Sequence, residues 1–158
     1  MIEPIFDYIT NFKNPIMWKG IVIHHSLTKD SIVVDWESIR RYHKGLGWDD
    51  IGYHSGIELI SDAEGKTKYE YKIGRPLDMQ GAHTLGKNDS CIGICLVGNY
   101  DIIAPNEIQL FLTASLCRAY MTRFGIPIEN IWFHRDFADK SCPGYLFNKL
   151  DLRTEIKG

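Results

Sequence analysis

The sequence predicts one α/β domain, a central mixed β-sheet flanked by helices. Three features predict it. An apolar run rich in β-branched residues at 20–23 reads as a buried strand, and a continuous apolar run at 91–97 as a central strand buried on both faces, which requires layers on either side of a sheet. Stretches of helical periodicity at 34–44 and 105–124 interleave with those runs without strict alternation, so the sheet is mixed rather than all parallel. The chain has 158 residues and no internal repeat, low-complexity tract or linker, which suits a single domain. At that length about 70% of the unfolded surface is buried on folding, so neither disulfides nor a metal are needed merely to fold.

The elements follow in order. Residues 1–17 are aromatic and irregular and are expected to form a leader packed on a domain running from 18 to 158. Trp18 to His24 contains Gly20-Ile21-Val22-Ile23, a buried strand closed by the polar stretch 26–31. From Val34 to Lys44, Trp36, Ile39, Arg40 and His43 recur at helical spacing until Gly45 and Gly47 stop the pattern. Tyr53 to Ile60 and Thr67 to Ile73 read as two strands joined through Ala63-Glu64-Gly65-Lys66, a hairpin with a glycine in its turn. Cys91 to Val97 is a central strand. The longest helix spans Pro105 to Phe124, with proline at the first helical position, Gly125 at C′ and Pro127 just beyond. Its apolar stripe is Ile108, Leu112, Leu116 and Tyr120, reinforced by Phe111, Ser115 and Ala119. Ala104 falls at the N-cap, where it offers no capping oxygen. Ile131 to Phe133 is a short strand, and Phe147 to Arg153 a last helix.

Composition excludes several functions. Eighteen Lys and Arg against twenty Asp and Glu give a net charge of -2, which argues against a nucleic-acid partner. No stretch approaches the roughly 18 apolar residues of a membrane span, so no membrane partner is expected. Met1-Ile2-Glu3-Pro4 carries an acid where a secretory signal carries positive charge, which predicts cytoplasmic synthesis without a signal peptide. The four cysteines are too few and too irregular for a disulfide scaffold. Cys91 and Cys95 share one strand face yet lie too far apart to bond, so Cys91, Cys95 and Cys117 are expected as buried thiols.

Chemistry concentrates at His24-His25, at Gly52-Tyr53-His54 and in the segment from His134 to Gly144. Imidazole and thiolate are zinc ligands, and catalytic zinc takes three protein ligands plus water. Two His and one Cys leave a site of net charge +1 that lowers the pKa of water. Taken singly, each residue keeps a plainer reading. A histidine can be a satisfied core residue, Cys142 a buried thiol, Lys140 a solvated lysine and Tyr53 a core tyrosine. His134-Arg135-Asp136 imitates a kinase catalytic loop, but the chain has no glycine-rich phosphate loop and no DFG. A Cys142–His134 thiol hydrolase is disfavoured because Cys142 precedes Pro143 with no helix N-terminus to depress its pKa. His25 points away from His24 along a strand. His43 and His54 read as structural partners that fix tautomers.

The ordered blocks change this picture. Ile23-His24-His25-Ser26, Tyr42-His43-Lys44, Gly47-Trp48-Asp49-Asp50-Ile51-Gly52-Tyr53-His54, Gly74-Arg75-Pro76, Gly81-Ala82-His83, the run from Ser90 to Gly98, and His134 through Lys140-Ser141-Cys142-Pro143 appear in sequence. Together they resemble the type-2 N-acetylmuramoyl-L-alanine amidases, zinc amidases that include peptidoglycan recognition proteins and the amidase-type lysozymes of T-odd phages. The resemblance implies that fold and one Zn2+ per chain, held by His24, His134 and Cys142. It implies Tyr53 beside the zinc-bound water, Lys140 facing the scissile carbonyl, and His83 and Arg75 at the substrate groove.

The implied partner is peptidoglycan, cut between N-acetylmuramic acid and L-alanine by a monomeric phage or prophage endolysin. Such an enzyme acts on the wall after a separate membrane-permeabilising protein releases it. The alternatives are a non-catalytic peptidoglycan-binding module and a cytosolic muropeptide-recycling amidase, whose third ligand is Asp where this chain has Cys142. Contact with the phage RNA polymerase is implied by family analogy only, with residues 1–17 as its expected place.

Overall fold

The computed structural model describes residues 3–28 and 34–158. Met1 and Ile2 of the leader, and the end of the polar stretch 26–31, lie outside the described residues. The elements are helix α1 (Pro4–Asn11), strand β1 (Gly20–His25), helix α2 (Trp36–Gly45), strands β2 (Ser55–Ser61), β3 (Thr67–Ile73) and β4 (Cys91–Leu96), helix α3 (Glu107–Phe124), strand β5 (Ile131–Phe133) and helix α4 (Lys149–Lys157). The five strands form one sheet in the order β3-β2-β4-β1-β5. Strands β2, β4, β1 and β5 run parallel, and β3 pairs antiparallel with β2, so the sheet is mixed as expected. No helix of the described residues is long and apolar enough to cross a membrane.

Strands β1 and β4 are buried along their whole length. The larger core cluster unites Ile21, Ile23, Ile92 and Ile94 of the sheet with Leu116, Cys117 and Tyr120 of α3 and Leu152 and Ile156 of α4. The opposite face is closed by a smaller cluster of Trp36, Ile51, Cys95 and Val97. There the Trp36 ring lies on Gly56, where a Cβ would stand 2.3 Å from the ring and 2.7 Å from the Cys95 carbonyl oxygen. Only glycine admits that contact.

Several element readings are corrected. Residues 4–11 are a helix rather than irregular. Pro4 opens it, and Ile5 and Ile9 sit one turn apart in the main core. Strand β2 begins at Ser55, which leaves Tyr53 and His54 in the loop before it. Helix α3 begins at Glu107, two residues later than Pro105. Its N-cap is Asn106, whose side chain accepts from the Gln109 backbone N–H while Gln109 reaches back in a capping box. The buried stripe also differs. Ile108 and Phe111 are 57% and 54% exposed, and the face toward the sheet runs through Gln109, Thr113, Leu116, Tyr120 and Phe124. Two polar residues disguise that face in the sequence because their hydrogen bonds are made internally: Thr113 donates to the Gln109 carbonyl at 2.7 Å, and Gln109 donates to the Tyr100 hydroxyl at 2.8 Å. The last helix starts at Lys149, capped by Asn148.

Candidate metal centre and its pocket

Parallel pairing brings the first two candidate ligands together. Ile23 of β1 stands opposite Phe133, the last residue of β5, so the residues that follow, His24 on β1 and His134 just past the end of β5, emerge at the same end of the sheet. Cys142 arrives on the loop after β5. Arg135 holds that loop: its backbone N–H donates to the Cys142 carbonyl, and its guanidinium donates to the carbonyls of Ser141, Gly144 and Phe147. Asp101 fixes the same loop from outside, accepting from the Ser141 hydroxyl and the Tyr145 N–H. Sequence reasoning did not find Arg135 or Asp101. Their partners are carbonyls and amides, which no side-chain pattern announces.

The donor atoms of His24, His134 and Cys142 lie within 4.8 Å of one another. His24 Nδ1 is 3.7 Å from Cys142 Sγ, and the two imidazole rings are 4.6 Å apart. Burial, and then the neighbouring imidazoles and Lys140, hold His24 well below the usual histidine range. Burial and Lys140 lower His134. Both rings are therefore neutral and carry a lone pair. Burial pushes the Cys142 thiol up to about 11, while the His25 backbone N–H points at its sulfur from 3.4 Å, an arrangement that favours a thiolate once a cation is present. Two neutral imidazoles and one sulfur, without a carboxylate, are the donor set of zinc rather than of magnesium or calcium. The residues fit the ion.

The three side chains line a pocket of about 570 Å³. Tyr53 lines it too, its ring 5.1 Å from that of His24. Burial, and then Cys95 and Cys142, push the Tyr53 phenol well above its ordinary value, so it remains a hydrogen-bond donor. Lys140 is exposed at the pocket wall. Trp48, to which the sequence assigned no role, and His43, 4.6 Å away, add an aromatic wall. No Asp or Glu lines the pocket among the described residues.

The remaining candidates separate. His83 lines the pocket, but both its ring nitrogens are engaged within the protein, with His24 Nε2 at 2.9 Å, Thr84 Oγ1 at 3.0 Å and the Cys91 carbonyl at 3.0 Å. Arg75 is not brought to the pocket. It is buried, and its guanidinium donates to the carbonyls of Ile51, Gln80 and Asp50, tying the Tyr53 loop to the segment after β3. His25 accepts from the Tyr100 N–H. His43 accepts at Nδ1 from the Gly52 N–H.

His54 is fully buried. Its Nε2 donates to the Met79 carbonyl and its Nδ1 accepts from the Gly93 N–H, which leaves no place for a second proton. Burial lowers it from 6.5 to about 4. Its folded value is below its unfolded one, so this contribution to stability is whole above pH 6.5 and is lost as pH falls toward 4. The loss is on the order of 3 kcal/mol from this residue. Denaturant midpoints of metal-free protein between pH 7 and pH 4 should fall steeply for the wild type and less for His54→Gln. Parallel curves would exclude this origin.

Residues 13–145 match the family model described as N-acetylmuramoyl-L-alanine amidase. The endolysin of Klebsiella phage KP32 is 32% identical over 140 residues, covering 86% of this chain and 87% of that protein. The endolysin of Escherichia phage T7 is 30% identical over 158 residues, covering 93% and 97%. Among solved structures, the N-acetylmuramoyl-L-alanine amidase LysC from Clostridium intestinale URNW superposes with a TM-score of 0.73 at 25% identity, covering 90% of this chain and 88% of that one.

Proposed function

This chain belongs to the N-acetylmuramoyl-L-alanine amidase family, and on that premise we propose that it is a zinc-dependent endolysin cutting the bond between the lactyl group of N-acetylmuramic acid and L-alanine in peptidoglycan. The convergence of His24, His134 and Cys142 at one pocket carries the reading. We assign the amidase domain to residues 18–158, with residues 1–17, which include α1, as the leader packed on it.

Zinc held by those three residues would supply a Lewis acid for the scissile carbonyl and a supply of activated water at neutral pH. The protein's own groups do the rest. His24 and His134, kept neutral, offer lone pairs instead of competing protons. The Tyr53 hydroxyl, held protonated, donates to the attacking water and turns its lone pair toward the carbonyl carbon. As the water oxygen bonds to that carbon, the carbonyl oxygen gains charge, and the Lys140 ammonium stabilises it. One of the water's protons passes to the amide nitrogen, the C–N bond breaks, and L-alanine leaves through its neutral amine while the lactyl carbonyl carbon becomes a carboxyl. A thiol nucleophile at Cys142 is disfavoured, because burial keeps it protonated at neutral pH.

The test is metal analysis with hydrolysis of purified peptidoglycan before chelation, after it, and after zinc is restored. About one zinc per chain, with new L-alanine amino termini appearing only in the metal-loaded samples, is expected. Cleavage that survives complete metal removal would sink the zinc mechanism. Zinc uptake without cleavage would instead favour the binding-module alternative.

A further inference from the structure

His83 sits behind the metal centre rather than in it, and its hydrogen bonds dictate where the hydrogen of His24 lies. The Cys91 carbonyl, 3.0 Å from His83 Nε2, can only accept, so Nε2 carries the hydrogen. Nδ1 of a neutral ring is then bare and can only accept. It faces His24 Nε2 at 2.9 Å, so that nitrogen must be the donor. His24 is left with a lone pair on Nδ1, the nitrogen 3.7 Å from Cys142 Sγ. Thr84 Oγ1, 3.3 Å from His24 Nε2, can share that hydrogen as a weaker second acceptor, while its 3.0 Å approach to His83 Nδ1 adds no second full bond, since that nitrogen has one lone pair.

We propose that His83 is a positioning residue that locks His24 in the Nε2–H tautomer and so presents His24 Nδ1 to the metal. The inference rests on the zinc reading above. The surroundings of His83 are built for this placement. Asn88 Oδ1 accepts from the backbone N–H of both His83 and Thr84, at 2.7 and 2.9 Å, and fixes the loop that carries the ring. The ring lies across Gly93 of β4, where a Cβ would come within 2.6 Å of it. A contact of the ring with peptidoglycan would require breaking one of these bonds.

The test joins two measurements on the full chain. Long-range ¹⁵N–¹H correlation spectra of the metal-free wild type report the His24 tautomer directly, and Nε2–H is expected. Zinc affinity is then measured by competition with a chromophoric chelator for the wild type, His83→Leu and His83→Asn, each checked for folding by circular dichroism. His83→Leu should bind zinc about 10–100-fold more weakly and show mixed His24 tautomers. His83→Asn, whose Oδ1 can take the acceptor position of Nδ1, should fall closer to wild type. An Nδ1–H tautomer in the wild type overturns the inference alone, even if no variant folds. So does unchanged zinc affinity in a folded His83→Leu. A wild type that takes up no zinc at all overturns the zinc reading and this inference with it.

Discussion

Cys142→Ala is expected to lower peptidoglycan hydrolysis by about a thousandfold or more and to leave the folded chain without stoichiometric zinc. A Lewis acid at the reacting carbonyl contributes several kcal/mol, and each 1.4 kcal/mol is about a factor of ten in rate. Two imidazoles alone make a weak site for zinc, which takes three protein ligands in catalytic centres. The fold should survive. Arg135 and Asp101 hold the loop through the Cys142 and neighbouring carbonyls and the Ser141 and Tyr145 groups, none of which involves the sulfur. Release of L-alanine amino termini, metal content and a thermal melt check the three parts separately. A folded variant that keeps more than a tenth of the wild-type rate would remove Cys142 from the mechanism.

Lys140→Ala is expected to cost about 10²–10³ in kcat, the usual consequence of deleting a group that stabilises a developing oxyanion. Zinc content and melting temperature should stay at wild-type values. Its side chain is exposed and makes no hydrogen bond or ion pair among the described residues, so no fold contact is lost. This pattern distinguishes Lys140 from Cys142, whose removal loses metal and activity together. Tyr53→Phe, measured in parallel, should lower turnover at least tenfold and also retain zinc, because only the donated hydroxyl hydrogen is lost. Full activity in Lys140→Ala would return that residue to the role of a solvated surface lysine.

Strands β1 and β4, the β2–β3 hairpin turning at Gly65 and the end of α3 at Gly125 were legible because each is written locally. Continuous apolar runs mark doubly buried strands, and both glycines adopt positive φ, +80° and +69°, where other residues are strained. Motif order nominated His24, His134, Cys142, Tyr53 and Lys140 through a family resemblance, and the parallel register of β1 with β5 is what brings the two histidines side by side. Helix α1 was missed because its eight residues bury only Ile5 and Ile9, too few to establish a period.

Other features were decided only by tertiary structure. The polar faces of Gln109 and Thr113 look exposed in the sequence and are buried in the fold, since their partners are supplied within α3 and by Tyr100. Arg75 reads as a groove residue until three carbonyls take up its guanidinium. His83 likewise reads as a groove residue until the Cys91 carbonyl, 8 residues away, and His24, 59 residues away, claim its two nitrogens. By itself the sequence determined the secondary structure written in periodicity and turn chemistry, together with the family and the residue types available for catalysis. Which polar groups are spent on the protein, and which face the pocket, depends on donors and acceptors that backbone register brings from distant segments. Backbone carbonyls, and amides outside proline, are the same from residue to residue, so their demands become visible only in the folded chain.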